Sequence, residues 1–165
     1  MESESNCKCG QSLIKNNMDI FGSYPFLARI GFINPQTGRL KYPCSGTIIN
    51  ERAVVTTASC ALANSQTYKL YVVAIGEFDG KTDPDCNPLF CGHKVEYHNI
   101  SYIVKHPNYR ADSFANNIAL IRLEKRINFK GTAQPVCLFP REVYIERGSN
   151  AVLIGWGRLS NQKGT

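Results

Sequence analysis

Pro43-Cys44-Ser45-Gly46-Thr47-Ile48-Ile49-Asn50-Glu51-Arg52-Ala53-Val54-Val55-Thr56-Thr57-Ala58-Ser59-Cys60 is the stretch whose reading decides the fold. Two apolar, β-branched runs flank the polar turn Asn50-Glu51-Arg52, the pattern of a β-hairpin with a short connection. A cysteine closes each end, so a Cys44–Cys60 bridge would staple the hairpin shut. Outward from the hairpin, residues 24–33 read as a strand followed by the turn Asn34-Pro35-Gln36-Thr37-Gly38. Residues 68–78 alternate with apolar side chains on both faces, which predicts a strand covered on both sides. Residues 94–105 alternate apolar with polar, as a half-exposed strand does, and residues 116–123 give a further strand. Between them, residues 79–92 carry Gly80, Pro84 and Pro88, which break a strand, and Cys86 and Cys91 would close a small loop there.

With 165 residues, 43% of them hydrophobic and 19% charged, the chain has the composition of one globular domain. No apolar run approaches the roughly 20 residues that cross a bilayer, so no membrane association is expected. Seven cysteines in so short a chain suggest an oxidising compartment. Zinc is the competing use, but Cys7-Lys8-Cys9 is tighter than the usual zinc pair and no other close pair complements it. Asn99-Ile100-Ser101 is a glycosylation sequon. The net charge of +6 is scattered, with no basic stripe interleaved with aromatics, so nucleic-acid binding is not expected. Met1-Glu2-Ser3-Glu4-Ser5 has neither the basic start nor the apolar core of a secretion signal. The chain therefore reads as a fragment, or an incomplete gene model, of a secreted protein.

The hairpin's last residues, Thr57-Ala58-Ser59-Cys60, resemble the trypsin-like serine protease domain. In active members the segment reads Thr-Ala-Ala-His-Cys. Gly76-Glu77-Phe78-Asp79 with Asp83-Pro84-Asp85-Cys86 narrows the resemblance to the clip-domain serine proteases of arthropods and their inactive homologues. Cys9-Gly10 resembles the linker cysteine of that group, whose partner in the inter-barrel segment matches Cys137. The resemblance thus implies the bridges Cys44–Cys60, Cys86–Cys91 and Cys9–Cys137, leaving Cys7 without an assigned partner. His106-Pro107-Asn108-Tyr109 is a family-typical turn, Pro135-Val136-Cys137-Leu138 resembles the inter-barrel segment, and Ala151-Val152-Leu153-Ile154-Gly155-Trp156-Gly157-Arg158 resembles the first strand of the second barrel. The resemblance covers residues 9–165 and implies an all-β, Greek-key fold with the first barrel complete and the second only begun. The implied division is a linker, light-chain-like segment at 1–23, then a partial protease domain at 24–165. Within the latter, the first barrel spans about 24–125, the inter-barrel segment 126–150 and the start of the second barrel 151–165. Apolar residues of 151–157 are then expected to form an exposed patch.

Two family positions carry the chemistry. Ser59 stands where active members have the general-base histidine, and Asn117, in Asn116-Asn117-Ile118-Ala119-Leu120, stands where they have the triad aspartate. No Gly-Asp-Ser-Gly-Gly segment occurs in the sequence, so no nucleophile is assigned. Where the family carries a basic residue before Ile-Val-Gly-Gly, this chain has Leu13-Ile14-Lys15-Asn16-Asn17-Met18-Asp19-Ile20-Phe21-Gly22, so the activation device is expected to be lost. A hydroxyl has no protonation change near neutral pH, and an amide cannot stabilise an imidazolium. His93, His98 and His106 read as structural or surface residues, and Asp112 has no histidine to orient. Glu77, Asp83 and Asp85 form a candidate calcium loop by analogy with related proteases, and equally read as a solvated acidic turn. No other cofactor is expected. Phe26, Ile30, Ile48, Val54, Val72, Ile118, Leu120 and Trp156 read as core, with Trp156 a fold marker rather than a ligand platform.

By this resemblance the chain is a secreted, non-catalytic serine protease homologue. It would bind active proteases or their zymogens as cofactor or decoy, in an extracellular immune or melanisation cascade or in venom. The alternative is a fragment of a trypsin-like serine endopeptidase that carries out proteolysis. A zinc or nucleic-acid module would require free thiols.

Overall fold

The structure, a computed structural model, describes residues 9–13, 21–63 and 65–157. Cys7, most of the 13–22 lead-in and residues 158–165 lie outside the described residues. Six strands and one short helix follow in chain order: β1 (Leu27–Ile33), β2 (Leu40–Asn50), β3 (Ala53–Thr56), α1 (Ala58–Ala61), β4 (Lys69–Ile75), β5 (Glu96–Lys105) and β6 (Ala119–Leu123). Every neighbouring pair is antiparallel, and the ring β1-β2-β3-β6-β5-β4 closes into a barrel. Alternation explains the interior: Ala28, Ile30, Ile48, Val54, Val73, Ile75, Ile121 and Leu123 point inward and are buried.

The hairpin is longer than the sequence suggests, because β2 begins at Leu40 and carries Pro43. Proline lacks the N–H that a ladder needs. It is tolerated because the β1–β2 register shifts between Ile30↔Cys44 and Phe32↔Lys41, leaving Tyr42 and Pro43 in a bulge. Asn50 Oδ1 accepts from the Arg52 N–H at 2.9 Å and fixes the turn. Two glycines let layers approach closely. A Cβ at Gly31 would stand 2.8 Å from both the Tyr42 ring and Val72 Cγ1, and one at Gly46 would stand 2.5 Å from Val54 Cγ1.

Several local readings need correction. Residues 24–26 form a turn, with the Leu27 N–H donating to the Tyr24 carbonyl at 3.1 Å, so β1 starts later than residue 24. Ser59 and Cys60 lie in α1 rather than at the end of a strand. In β4 only Val72–Ile75 is covered on both faces, since Tyr71 is half exposed. Ile118 and Leu120 are not core: they are 49% and 36% exposed, because Ala119, Ile121 and Leu123 take the inward parity. Residues 151–157 pair with no strand among the described residues, and Val152 and Leu153 are 73% and 100% exposed, in keeping with the expected patch.

Three disulfides brace the chain: Cys44–Cys60 ties β2 to α1, Cys86–Cys91 closes the loop after β4, and Cys9–Cys137 joins residues 128 apart. Beside the last, the Gly10 N–H donates to the Pro135 carbonyl at 2.8 Å. No helix among the described residues is long and apolar enough to cross a membrane.

Candidate functional site

The site lies where β3 hands the chain to α1. Thr57 keeps an extended backbone, and its Oγ1 accepts from the Cys60 N–H at 3.2 Å, the signature of an N-cap. The cap starts the helical turn and sets Ser59 beside the entry to β6. There Asn116 adopts φ 54°, a left-handed conformation that asparagine enters more readily than most residues. The bend delivers Asn117 against Ser59. The Ser59 N–H donates to Asn117 Oδ1 at 2.8 Å, and Asn117 Nδ2 donates back to Ser59 Oγ at 3.1 Å. The Ser59 hydroxyl donates onward to Thr57 Oγ1 at 3.2 Å. Two residues 58 positions apart thus form a closed, reciprocal pair. Every member is a neutral hydroxyl, amide or backbone group, so the pair has no proton acceptor that titrates near neutral pH.

An open groove of about 360 Å³ runs beside the pair, lined by Leu27, Val55, Thr57, Asn117, Ile118 and Ile154 among others. The histidines are engaged elsewhere. His98, 6% exposed in β5, places Nε2 3.1 Å from Glu96 Oε2. His106 Nδ1 accepts from the Asn108 N–H at 3.1 Å, and the backbone N–H of His93, far from the pair, donates to Thr132 Oγ1 at 2.6 Å. Asp112 lies in an exposed loop and pairs with Arg110 at 2.9 Å, which holds its carboxyl below the usual range. Asn99 is exposed on β5, with Nδ2 donating to Glu124 Oε2 at 3.2 Å.

The acidic loop uses its carboxylates internally. Asp85 is 2% exposed. Its Oδ2 accepts from the Phe78 and Asp79 N–H groups at 2.7 and 2.9 Å, and its Oδ1 accepts from the Thr82 hydroxyl at 2.6 Å. Burial alone would raise the Asp85 pKa, but these donors outweigh it and leave the carboxyl below its ordinary value. Asp83 Oδ1 accepts from the Val95 N–H at 2.9 Å, and Glu77 Oε2 meets Arg29 Nη1 at 2.9 Å. These three carboxylates serve as acceptors that fold the loop. Among the described residues, no three His, Cys, Asp or Glu side chains are grouped to hold a metal ion.

Arg29 is a residue that sequence reasoning passed over. Its guanidinium lies between two rings, 4.3 Å from the Tyr42 centroid and 4.4 Å from that of Trp156, while Glu77 pairs with its edge. Trp156 is therefore a stacking partner as well as a packed side chain. The available signal was a lone charge between Ala28 and Ile30 in an otherwise apolar strand. Burial pushes the Glu77 carboxyl up to about 7, with Arg29 pulling it down and Asp85 pushing it up. Burial, with Tyr97 nearby, also raises the Tyr42 phenol.

Residues 13–165 match the family model described as Trypsin. CLIP domain-containing serine protease B9 of Anopheles gambiae is 33% identical over 144 residues, covering 79% of this chain and 35% of the relative. Melanization protease 1 of Drosophila melanogaster is 32% identical over 161 residues, covering 90% of this chain and 40% of the relative. The crystal structure of the Drosophila Grass clip serine protease of the Toll pathway superposes with a TM-score of 0.70 at 27% identity, over 82% of this chain and 40% of that one. The chain thus spans well under half the length of these relatives.

Proposed function

Because the chain belongs to the trypsin family, we propose that it is a non-catalytic serine protease homologue that acts by binding other proteins. The observation that carries this reading is the reciprocal Ser59–Asn117 pair. Triad hydrolysis needs an imidazole to take the serine proton and a carboxylate to hold that imidazole. Here an alcohol and an amide stand at the matching positions and satisfy one another. Neither takes up a proton near neutral pH, so peptide hydrolysis by this route has no general base.

The partners in this reading are extracellular proteases or zymogens of the clip-domain kind, with the chain as cofactor or decoy in a melanisation or related immune cascade. Support comes from the relatives' names and from the three disulfides, which suit an oxidising compartment. The exposed Asn99, in its sequon, suits N-glycosylation of a secreted protein. We assign residues 24–125 to the first barrel, 126–150 to the inter-barrel segment and 151–165 to the start of a second.

The test joins an active-site titrant with a binding assay. The chain is exposed to a fluorophosphonate titrant and fluorogenic arginyl and lysyl peptides, then titrated by surface plasmon resonance against a clip-domain protease and its zymogen. The expected outcome is no labelling, no turnover and saturable binding. Labelling with turnover would overturn the reading in favour of a serine endopeptidase. Absence of any binding would remove the cofactor or decoy role.

A further inference from the structure

We propose that the outer face of the barrel carries a seat for the first sugar of an N-linked glycan: Asn99 bears the sugar and the Tyr97 ring receives it. The inference rests on the reading of Asn99 as a glycosylation site and says what the sugar does once attached. Side chains two apart on a strand share a face and stand about 7 Å apart. In β5 the parity is plain, with Tyr97 and Asn99 exposed and His98 between them buried.

The face is built row by row. Gly31, Val72 and Asn99 lie side by side across β1, β4 and β5, and Arg29, Ala74 and Tyr97 form the next row. Gly31 has no side chain, and the Tyr42 ring from β2 fills the space above it. A Cβ there would stand 2.8 Å from both that ring and Val72 Cγ1, so the Tyr42 ring reaches the residue beside Asn99. A side-chain hydrogen bond ties Tyr97 to Tyr42. Held at its hydroxyl, the Tyr97 side chain leans from β5 over β4 and is still 58% exposed, which leaves ring surface open beside Asn99.

The chemistry of the two partners matches. A β-linked N-acetylglucosamine carries its axial hydrogens H1, H3 and H5 on one face, and that apolar face packs on an aromatic ring. A ring held in advance has little rotamer freedom left to lose. The asparagine is oriented too, since its Nδ2 donates to Glu124 Oε2 at 3.2 Å. Glycosylation replaces only one of the two Nδ2 hydrogens and leaves the other for Glu124. Ser101, the sequon hydroxyl, is exposed where the β5–β6 register shifts. Seated there, the sugar covers the outer face of β4 and β5, and a protein partner is left the other faces of the barrel.

The chain is secreted from insect cells grown with kifunensine, and endoglycosidase H trims the glycan to a single N-acetylglucosamine. Intact mass reads the occupancy of Asn99, and Ser101→Ala supplies the sugar-free form. The trimmed form is expected to melt about 1–6 °C above Ser101→Ala. That difference vanishes when both carry Tyr97→Ala and persists with Tyr97→Phe, which keeps the ring; the cycle cancels the cost of each substitution alone. Nuclear magnetic resonance of the trimmed native chain gives a readout that needs no variant: sugar H1, H3 and H5 move upfield of their positions in free N-acetylglucosaminyl-asparagine. If Tyr97→Ala is not secreted, these shifts decide. An Asn99 without sugar overturns the glycosylation reading and the seat with it. A sugar whose ring protons are unshifted, or whose stabilisation survives Tyr97→Ala, overturns the seat alone.

Discussion

Removing either member of the Ser59–Asn117 pair breaks the same contact, yet the two losses are unequal. Asn117→Ala strips the acceptor from the Ser59 N–H, a 2.8 Å bond, and leaves a half-buried backbone donor unsatisfied. Such an orphan costs about 1–3 kcal/mol. Ser59→Ala keeps that bond and loses only the hydroxyl that accepts from Asn117 Nδ2 at 3.1 Å and donates to Thr57. That loss is worth about 0.5–1.5 kcal/mol. In a domain of this size each kcal/mol moves the melting temperature by about 2–4 °C, so Asn117→Ala should lower it by about 2–12 °C and Ser59→Ala by about 1–6 °C. Asn117→Asp retains an acceptor for the N–H and should stay within about 1 kcal/mol of the native chain. Thermal and urea denaturation followed by circular dichroism give the three values. Equal losses for the two alanine variants, or a larger one for Ser59→Ala, would refute the claim that the amide acts mainly as a backbone acceptor.

Other outcomes follow from the same structure. Glu77 titrates at about 7 in the fold against an ordinary 4.5, so the folded state holds its proton more tightly. Its stabilising contribution is complete below about 4.5 and disappears as pH rises through 7, up to about 3 kcal/mol between pH 5 and 8. Urea midpoints at the two pH values should show this decline in the native chain and a flatter profile in Glu77→Gln; identical profiles would contradict it. Loop-closure entropy ranks the bridges: removing Cys9–Cys137, which closes a span of 128 residues, should destabilise by about 4–5 kcal/mol, against about 2 for Cys86–Cys91 across 5. Double Cys→Ser variants in urea check that order. Gly46→Ala drives a methyl to 2.5 Å from Val54 Cγ1 in the barrel interior and should lower stability by about 1–3 kcal/mol, read as a fall in the melting temperature.

The barrel was legible wherever alternation and burial point the same way. β1 carries that signal at its start, and β2 and β3 add a polar turn between β-branched runs; in β5 the two diverge, since Tyr97, Tyr102 and Val104 are 58%, 55% and 50% exposed while His98 takes the inward parity. It failed at β6, where Ile118 and Leu120 are as apolar as Ile121 and Leu123 but take the outer parity, and periodicity of two cannot say which set faces in. The contact of Ser59 with Asn117 was legible only through resemblance, since no local pattern links positions 58 apart. Arg29 was missed for a related reason. Its ring partners lie 13 and 127 residues away, and only the closed barrel brings them to one guanidinium. The segment 151–157 has strand-like side chains, but a strand exists through its neighbour's hydrogen bonds, and none is paired with it here.

Strand β1 bonds to β4 on one flank and β2 on the other, so the sheet has no outer strand. Whatever grips this barrel therefore cannot do so by extending its sheet, because the main-chain groups that strand addition requires are already taken. In the proposed binding role, recognition would rest on side chains and on the loops at the rims. Substitutions there should alter partner choice while leaving the hydrogen-bonded ring intact.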